Sequence, residues 1–198
     1  MWNGENNMKK LLVAVAASAL FVTPAFADPS DDTSFDINAS VPAACTIGNP
    51  GDFDMGELDI VLTAGSGALT LAALGTNGVR TTQNMWVSCN DVNRMTITSA
   101  NNGKLIRDGA APTAEEAAEG FTNLISYAVT ATNYGPVASQ QPSLSNGNPF
   151  FQNLVRGAIH KEVGMRVLIR SSDGNNATRR PLAGDYSDTV TVTVQIAS

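Results

Sequence analysis

Thr189-Val190-Thr191-Val192-Thr193-Val194-Gln195-Ile196, close to the C-terminus, alternates without a break between hydrogen-bonding and branched apolar side chains. A period of two puts Val190, Val192, Val194 and Ile196 on one face of an extended strand and the threonines and Gln195 on the other. Branched side chains are stiff at χ1 and fit a pleated surface, so one buried face is expected. Working outward, the same period recurs in Val163, Met165, Val167 and Ile169, in Ile125, Tyr127 and Val129 within Leu124 to Thr132, and in Met95, Ile97 and Ser99. Thr82 to Cys89 reads the same way. Nearer the N-terminus, Phe35, Ile37, Ala39 and Val41 alternate with Asp36, Asn38 and Ser40, Pro42 breaks the run, and Cys45-Thr46-Ile47 starts another. Leu58, Ile60 and Leu62 alternate as well.

Turn chemistry separates these runs: Asn49-Pro50-Gly51-Asp52, Asn101-Asn102-Gly103 and Asp173-Gly174-Asn175-Asn176. Gly56 is expected to mark a bulge or a close backbone approach. Thr113-Ala114-Glu115-Glu116 fits a capping box and predicts the sole helix, a short one stopped by Gly120. Thr63 to Gly78 predicts a loop carrying a short strand, and Gly135 to Pro149, rich in Ser, Gln, Asn and Pro, a long surface loop. About eight short strands with almost no helix predict an all-β, antiparallel sandwich.

Met8, Lys9 and Lys10, then the apolar run Leu11 to Val22, then Pro24-Ala25-Phe26-Ala27, predict a signal peptide over residues 1–27. Ala25 and Ala27 form the small-x-small site, with cleavage after Ala27, and residues 1–7 are an upstream extension. The competing reading is a membrane anchor, but an apolar run of about 12 residues falls short of the roughly 20 a span requires. The expected mature chain, Asp28 to Ser198, suits one domain. With 12 basic and 18 acidic residues the chain carries a net charge of −6. That balance argues against nucleic acid or an anionic membrane as partner, since both need clustered Lys and Arg.

Cys45 and Cys89 are the only cysteines. In an exported protein an even pair predicts a disulfide, worth about 4 kcal/mol for a loop of about 45 residues in the chain-entropy picture. A zinc site is the competing reading, but it would need further ligands at a recognisable spacing.

Three stretches together, FDINASVPAACTIG at 35–48, DFDMGEL at 52–58 and GDYSDTVTVTVQI at 184–196, resemble the pilin subunits of archaic chaperone-usher pili and the related spore coat protein U family. The likeness covers both ends of the expected mature chain. Met55-Gly56 stands where that family has Phe-Gly, Ala39 is small for its position, and the insert around Glu115 and Glu116 is not a family feature. The resemblance implies an immunoglobulin-like sandwich lacking its last strand, completed by donor-strand exchange. Residues 28–41 would then be the donor, with Phe35, Ile37, Ala39 and Val41 filling the groove of a body at 42–198. Tyr186, Asp188, Val190, Val192, Val194 and Ile196 would form the C-terminal strand beside that groove, with Asp188 capping backbone or reaching the tyrosine region. The partners implied are a periplasmic chaperone, an outer-membrane usher and copies of this or other pilin subunits, with no cofactor. The setting is a surface fibre serving adhesion or biofilm formation, reached through the periplasm. Two alternatives stay open: residues 34–41 pair within their own chain as a first strand, or the protein is a monomeric secreted or carbohydrate-binding tip module using the 63–78 and 135–149 loops.

Nothing in the sequence pairs a nucleophile with a base, places two carboxylates for acid–base work or forms a phosphate loop, so no enzyme is expected. His160, the single histidine, reads as a surface residue between two strands. Asp52, Asp54, Glu57 and Asp59 lack the spacing of a calcium loop and read as a solvated face. Arg179 and Arg180 are too few for a binding patch.

Overall fold

Alternating stretches become strands wherever a neighbour can take up their backbone groups. The computed structural model describes residues 33–58, 61–63, 68–75, 77–136, 142–145, 148–150 and 155–197. The expected leader, with Ala25 and Ala27, lies outside the described residues, as do Asp59 and Ile60. In chain order the elements are β1 (Cys45–Ile47), β2 (Val61–Thr63), β3 (Ala68–Thr70), a 3-10 turn (Leu71–Leu74), β4 (Val79–Cys89), β5 (Asn93–Ser99) and β6 (Lys104–Arg107). Helix α1 (Ala114–Ala118), β7 (Phe121–Thr122), β8 (Leu124–Ser126), β9 (Ala128–Thr132), β10 (Ser143–Ser145) and β11 (Asn148–Phe150) follow. The chain finishes with β12 (Ile159–Ile169), β13 (Arg180–Pro181), β14 (Tyr186–Ser187) and β15 (Val190–Ile196).

The fold is all-β. One sheet runs β1-β4-β12-β9-β10-β11, and its spine is the unbroken antiparallel ladder of β12 on β4, from Ile159 opposite Cys89 to Ile169 opposite Val79. The ladders β15-β5 and β14-β6-β8 form separate pairings that share its core. Among the described residues the ladders are antiparallel except the two-residue parallel pairing of β13 with β7. The core follows strand parity: Met85 and Val87 from β4, Val163, Met165 and Ile169 from β12, and Val129 from β9 meet Met95 and Ile97 from β5 and Ile125 from β8. Trp86, of opposite parity to Met85 and Val87, is 55% exposed on the outer face.

Several expectations change. Leu124 to Thr132 is two strands, because the chain leaves its ladder with β6 after Ser126 and joins β12 and β10 from Ala128. At this corner both faces are covered, and Ile125 through Val129 are all buried. The predicted loop 135–149 contains β10 and the start of β11, which extend the large sheet, and its Leu144 is buried. Residues 49–58 carry no strand; Asn49 and Asp54 instead accept from the backbone N–H groups of Gly51 and Gly56 in Asx turns. Gly56 sits at φ 67° with open space around it, so it serves a turn and not a close approach. The 3-10 turn at Leu71–Leu74 adds to the predicted helix. Gly78, at φ 61°, immediately precedes β4, which starts at Val79, three residues earlier than Thr82; a Cβ at Gly78 would clash with the Ile169 carbonyl oxygen.

Helix α1 carries the expected capping box: the Glu116 N–H donates to Thr113 Oγ1 at 3.2 Å, and the Thr113 N–H donates to Glu116 Oε2 at 2.7 Å. The hydrogen bond from the Thr113 backbone holds the Glu116 carboxyl below its usual pKa. Cys45 and Cys89 are joined by a disulfide at directly opposed positions of β1 and β4.

By contacts the chain divides into residues 1–40 and 41–198. In the first unit, residues 33–40 are all exposed and form no strand, with Phe35 79% and Ile37 83% exposed. Val41, at the start of the second, is 82% exposed.

Candidate functional site: an open groove beside the last strand

β15 is zipped to β5 along one edge, from Val190 opposite Ser99 to Ile196 opposite Asn93. Among the described residues no strand pairs with its other edge. Facing it is the stretch from Ile47 to Met55, held on the edge of β4 by the Gly48 N–H donating to Trp86 O at 2.8 Å and Gln83 Nε2 donating to Asp52 O at 3.3 Å. Between these walls lies a groove of about 690 Å³. Its floor is core-type side chains: Met85, Val129, Met165, Val167, Leu105 and Tyr127. Val190 and Val192 form the far wall. The whole inward row of β15, Val190, Val192, Val194 and Ile196, is only half-buried, although its residue types suit a closed core.

The groove ends on a polar cluster built around Asp188. Its Oδ2 accepts from Tyr127 Oη at 2.5 Å and from Ser99 Oγ, and its Oδ1 accepts from the N–H groups of Asn101 at 3.1 Å and Thr189 at 2.7 Å. Ser99 Oγ in turn accepts from the Gly103 N–H at 2.7 Å. The carboxylate therefore ties the start of β15 to the turn between β5 and β6, where Asn102 and Gly103 both have positive φ. Burial, and then the bond to Asp188, push the Tyr127 hydroxyl well above the usual tyrosine range. The expected single C-terminal strand from Tyr186 to Ile196 is two, Tyr186–Ser187 paired with β6 and Val190–Ile196 paired with β5, and Asp188 lies in the break between them, where the tyrosine it reaches is Tyr127. Tyr186 has its own partner: its hydroxyl donates to Leu182 O at 2.6 Å.

The groove floor and the Ile47–Met55 wall were not readable as a site from the sequence. The parity of Met85 and Met165 marks them as core, but nothing in it says which core residues lack a cover. His160 lies within β12 and not between strands; it is exposed, with Nδ1 3.2 Å from Ser88 Oγ and its ring 5.1 Å from that of Trp86. Asp52, Asp54 and Glu57 are exposed, as a solvated face would be, and Asp54 also accepts from the Gly56 N–H in its turn. Among the described residues no three His, Cys, Asp or Glu side chains are grouped to hold a metal. No protein-family model matches the chain, and no curated protein matches it.

Proposed function

We propose that this protein is a structural subunit of a bacterial surface fibre, exported by its leader and joined to its neighbours by strand donation. The observation that carries the reading is the pairing of an uncovered groove beside the free edge of β15 with an alternating apolar segment, Phe35 to Val41, that is exposed. An extended segment laid along β15 would satisfy its free N–H and C=O groups and send alternate side chains into the groove. The lengths are compatible: the groove is lined by Asp188 to Val192, five residues, and Phe35 to Val41, seven residues and about 20 Å of extended chain, is long enough to fill it. Burying Phe35, Ile37 and Val41 supplies about 1.5–3 kcal/mol apiece as an upper bound, and Ala39 adds less. A free edge beside an uncovered core invites aggregation. A periplasmic chaperone covering the groove until an outer-membrane usher delivers the next subunit answers that hazard. In this reading the protein has no enzymatic activity, and adhesion or biofilm formation follows from the fibre.

The test uses the chain from Asp28 onward with a labelled peptide of residues 34–41. Light scattering is expected to show concentration-dependent oligomers that the peptide caps and a scrambled peptide does not, and Ile37→Asp is expected to abolish assembly while leaving the far-ultraviolet spectrum unchanged. A stable monomer that takes up no peptide refutes the proposal.

A further inference from the structure

An alternating segment next to an open groove could fill its own groove as well as a neighbour's, and the two outcomes differ in what the chain does between Val41 and Cys45. To enter its own groove, the segment would run back antiparallel to Cys45 and the wall that follows it, which demands a hairpin turn over Pro42-Ala43-Ala44. Asn90, the residue after β4, occupies that stretch from the other side. Its N–H donates to Ala44 O at 3.1 Å, its Oδ1 accepts from the Ala44 N–H at 2.7 Å, and its Nδ2 donates to Pro42 O at 2.9 Å. The carboxamide bonds residues 42 and 44 as a peptide group on a paired strand would, so the β1–β4 ladder continues past Cys45 opposite Cys89. Local chemistry agrees. Val41 precedes proline and so favours extended backbone. Ala43 and Ala44 offer neither the glycine nor the asparagine that short hairpin loops use for positive φ.

We infer that Asn90 is a positioning residue that holds Pro42–Ala44 extended and thereby commits residues 34–41 to a neighbouring copy of the chain instead of its own groove. This inference rests on the strand-donation reading. It explains how a segment tethered three residues from β1 avoids the intramolecular closure that its high effective concentration would otherwise favour.

The experiment compares the parent, Asn90→Ala, and a combined variant, Asn90→Ala with Ala43→Asn and Ala44→Gly, which frees the stretch and supplies a turn-forming pair. Each is measured for oligomer size and for uptake of the labelled 34–41 peptide. The combined variant is expected to become a stable monomer whose uptake at micromolar peptide drops by a factor on the order of 100 or more, because the tethered segment competes at an effective concentration on the order of millimolar. Asn90→Ala alone is expected to fall between. Adding Ile37→Asp to the combined variant is expected to restore uptake, which separates closure in cis from general damage. A combined variant that assembles and takes up peptide like the parent overturns the inference while leaving strand donation standing, as does lost uptake that Ile37→Asp fails to restore. A parent that neither assembles nor takes up peptide overturns both.

Discussion

β12 and β15 carry nearly the same message in sequence and meet different fates. Val163, Met165 and Ile169 on β12 are 0%, 1% and 0% exposed, whereas the matching row on β15 is half-buried throughout. Residue type does not explain the difference, since three valines and an isoleucine are as apolar as anything on β12. Neighbours do: β12 has β4 on one side and β9 on the other, while among the described residues β15 pairs only with β5. Alternation in a sequence therefore reports which face of a strand points inward, and the number of flanking strands decides whether that face is covered.

The sharpest way to break the contrast is to cut into the sealed side. Met165→Ala should cost about 2–5 kcal/mol, the range for truncating a fully buried long side chain that leaves a cavity, and urea unfolding of the lone chain measures it. A loss under 1 kcal/mol would mean that Met165, which also floors the groove, already sits in loose packing and that the two rows differ little.

Next comes the wall of the groove. β1 is a three-residue edge strand pinned by Cys45–Cys89. Replacing both cysteines by serine is expected to remove about 2–4 kcal/mol, chiefly by freeing the unfolded chain. If the Ile47–Met55 wall depends on that anchor, the variant also loses uptake of the 34–41 peptide, which fluorescence anisotropy reads alongside the stability loss.

The polar end of the groove gives a smaller effect. Asp188→Asn keeps the shape but puts an amide where four donors now meet a carboxylate; with hydrogen bonds to charged groups worth about 1.5–3 kcal/mol, a loss of about 2 kcal/mol in chemical unfolding is expected. An unchanged midpoint would show that the cluster does not hold β15 to the turn between β5 and β6.

Titration probes the covered regions separately. Burial pushes Tyr134 up to about 12; its hydroxyl donates to Asn93 Oδ1 at 2.6 Å, against about 10 for an unfolded tyrosine. A pKa raised on folding means that the native state holds the proton more tightly. The stabilisation is thus complete below about pH 10 and is lost as pH climbs toward 12. Phenolate absorbance should show Tyr134 titrating about two units above free tyrosine, and Tyr134→Phe should remove its share of the decline in stability with pH. Titration near 10 would place Tyr134 in contact with solvent.

How much of this was legible follows from the same physics. The strands with long, strict alternation, β4, β5, β12 and β15, are readable because each keeps one inward face over seven or more residues. β10 escaped because a three-residue strand with Leu144 alone facing inward leaves no period to detect. The break at Tyr127 escaped because a strand that changes sheets is buried on both faces, and its apolar run reads as continuous. The capping box of α1 was legible since its bonds are local. The groove was not, because an absent neighbour leaves no trace in the residues that would have touched it; only the spare alternating segment at Phe35 to Val41 hints at one.

The smallest effect separates the two rows most cleanly. Val192→Ala removes two methyl groups from a side chain that is already half in solvent in the lone chain, so little apolar area is lost from burial and little cavity is created. At about 25 cal/mol per Å² the cost in the isolated subunit should be about 1 kcal/mol or less. If a donated strand covers that row, the same two methyl groups become fully buried and their loss leaves a hole, so under the proposal the cost in peptide-bound or assembled protein should rise above the value for the lone chain. Thermal unfolding of Val192→Ala with and without saturating 34–41 peptide reads the difference. Met165→Ala, buried in either state, should show much less of one. Equal costs for Val192→Ala in both states would mean that nothing comes to cover β15, and the contrast with β12 would then be a feature of a sheet edge and not of an unfilled site.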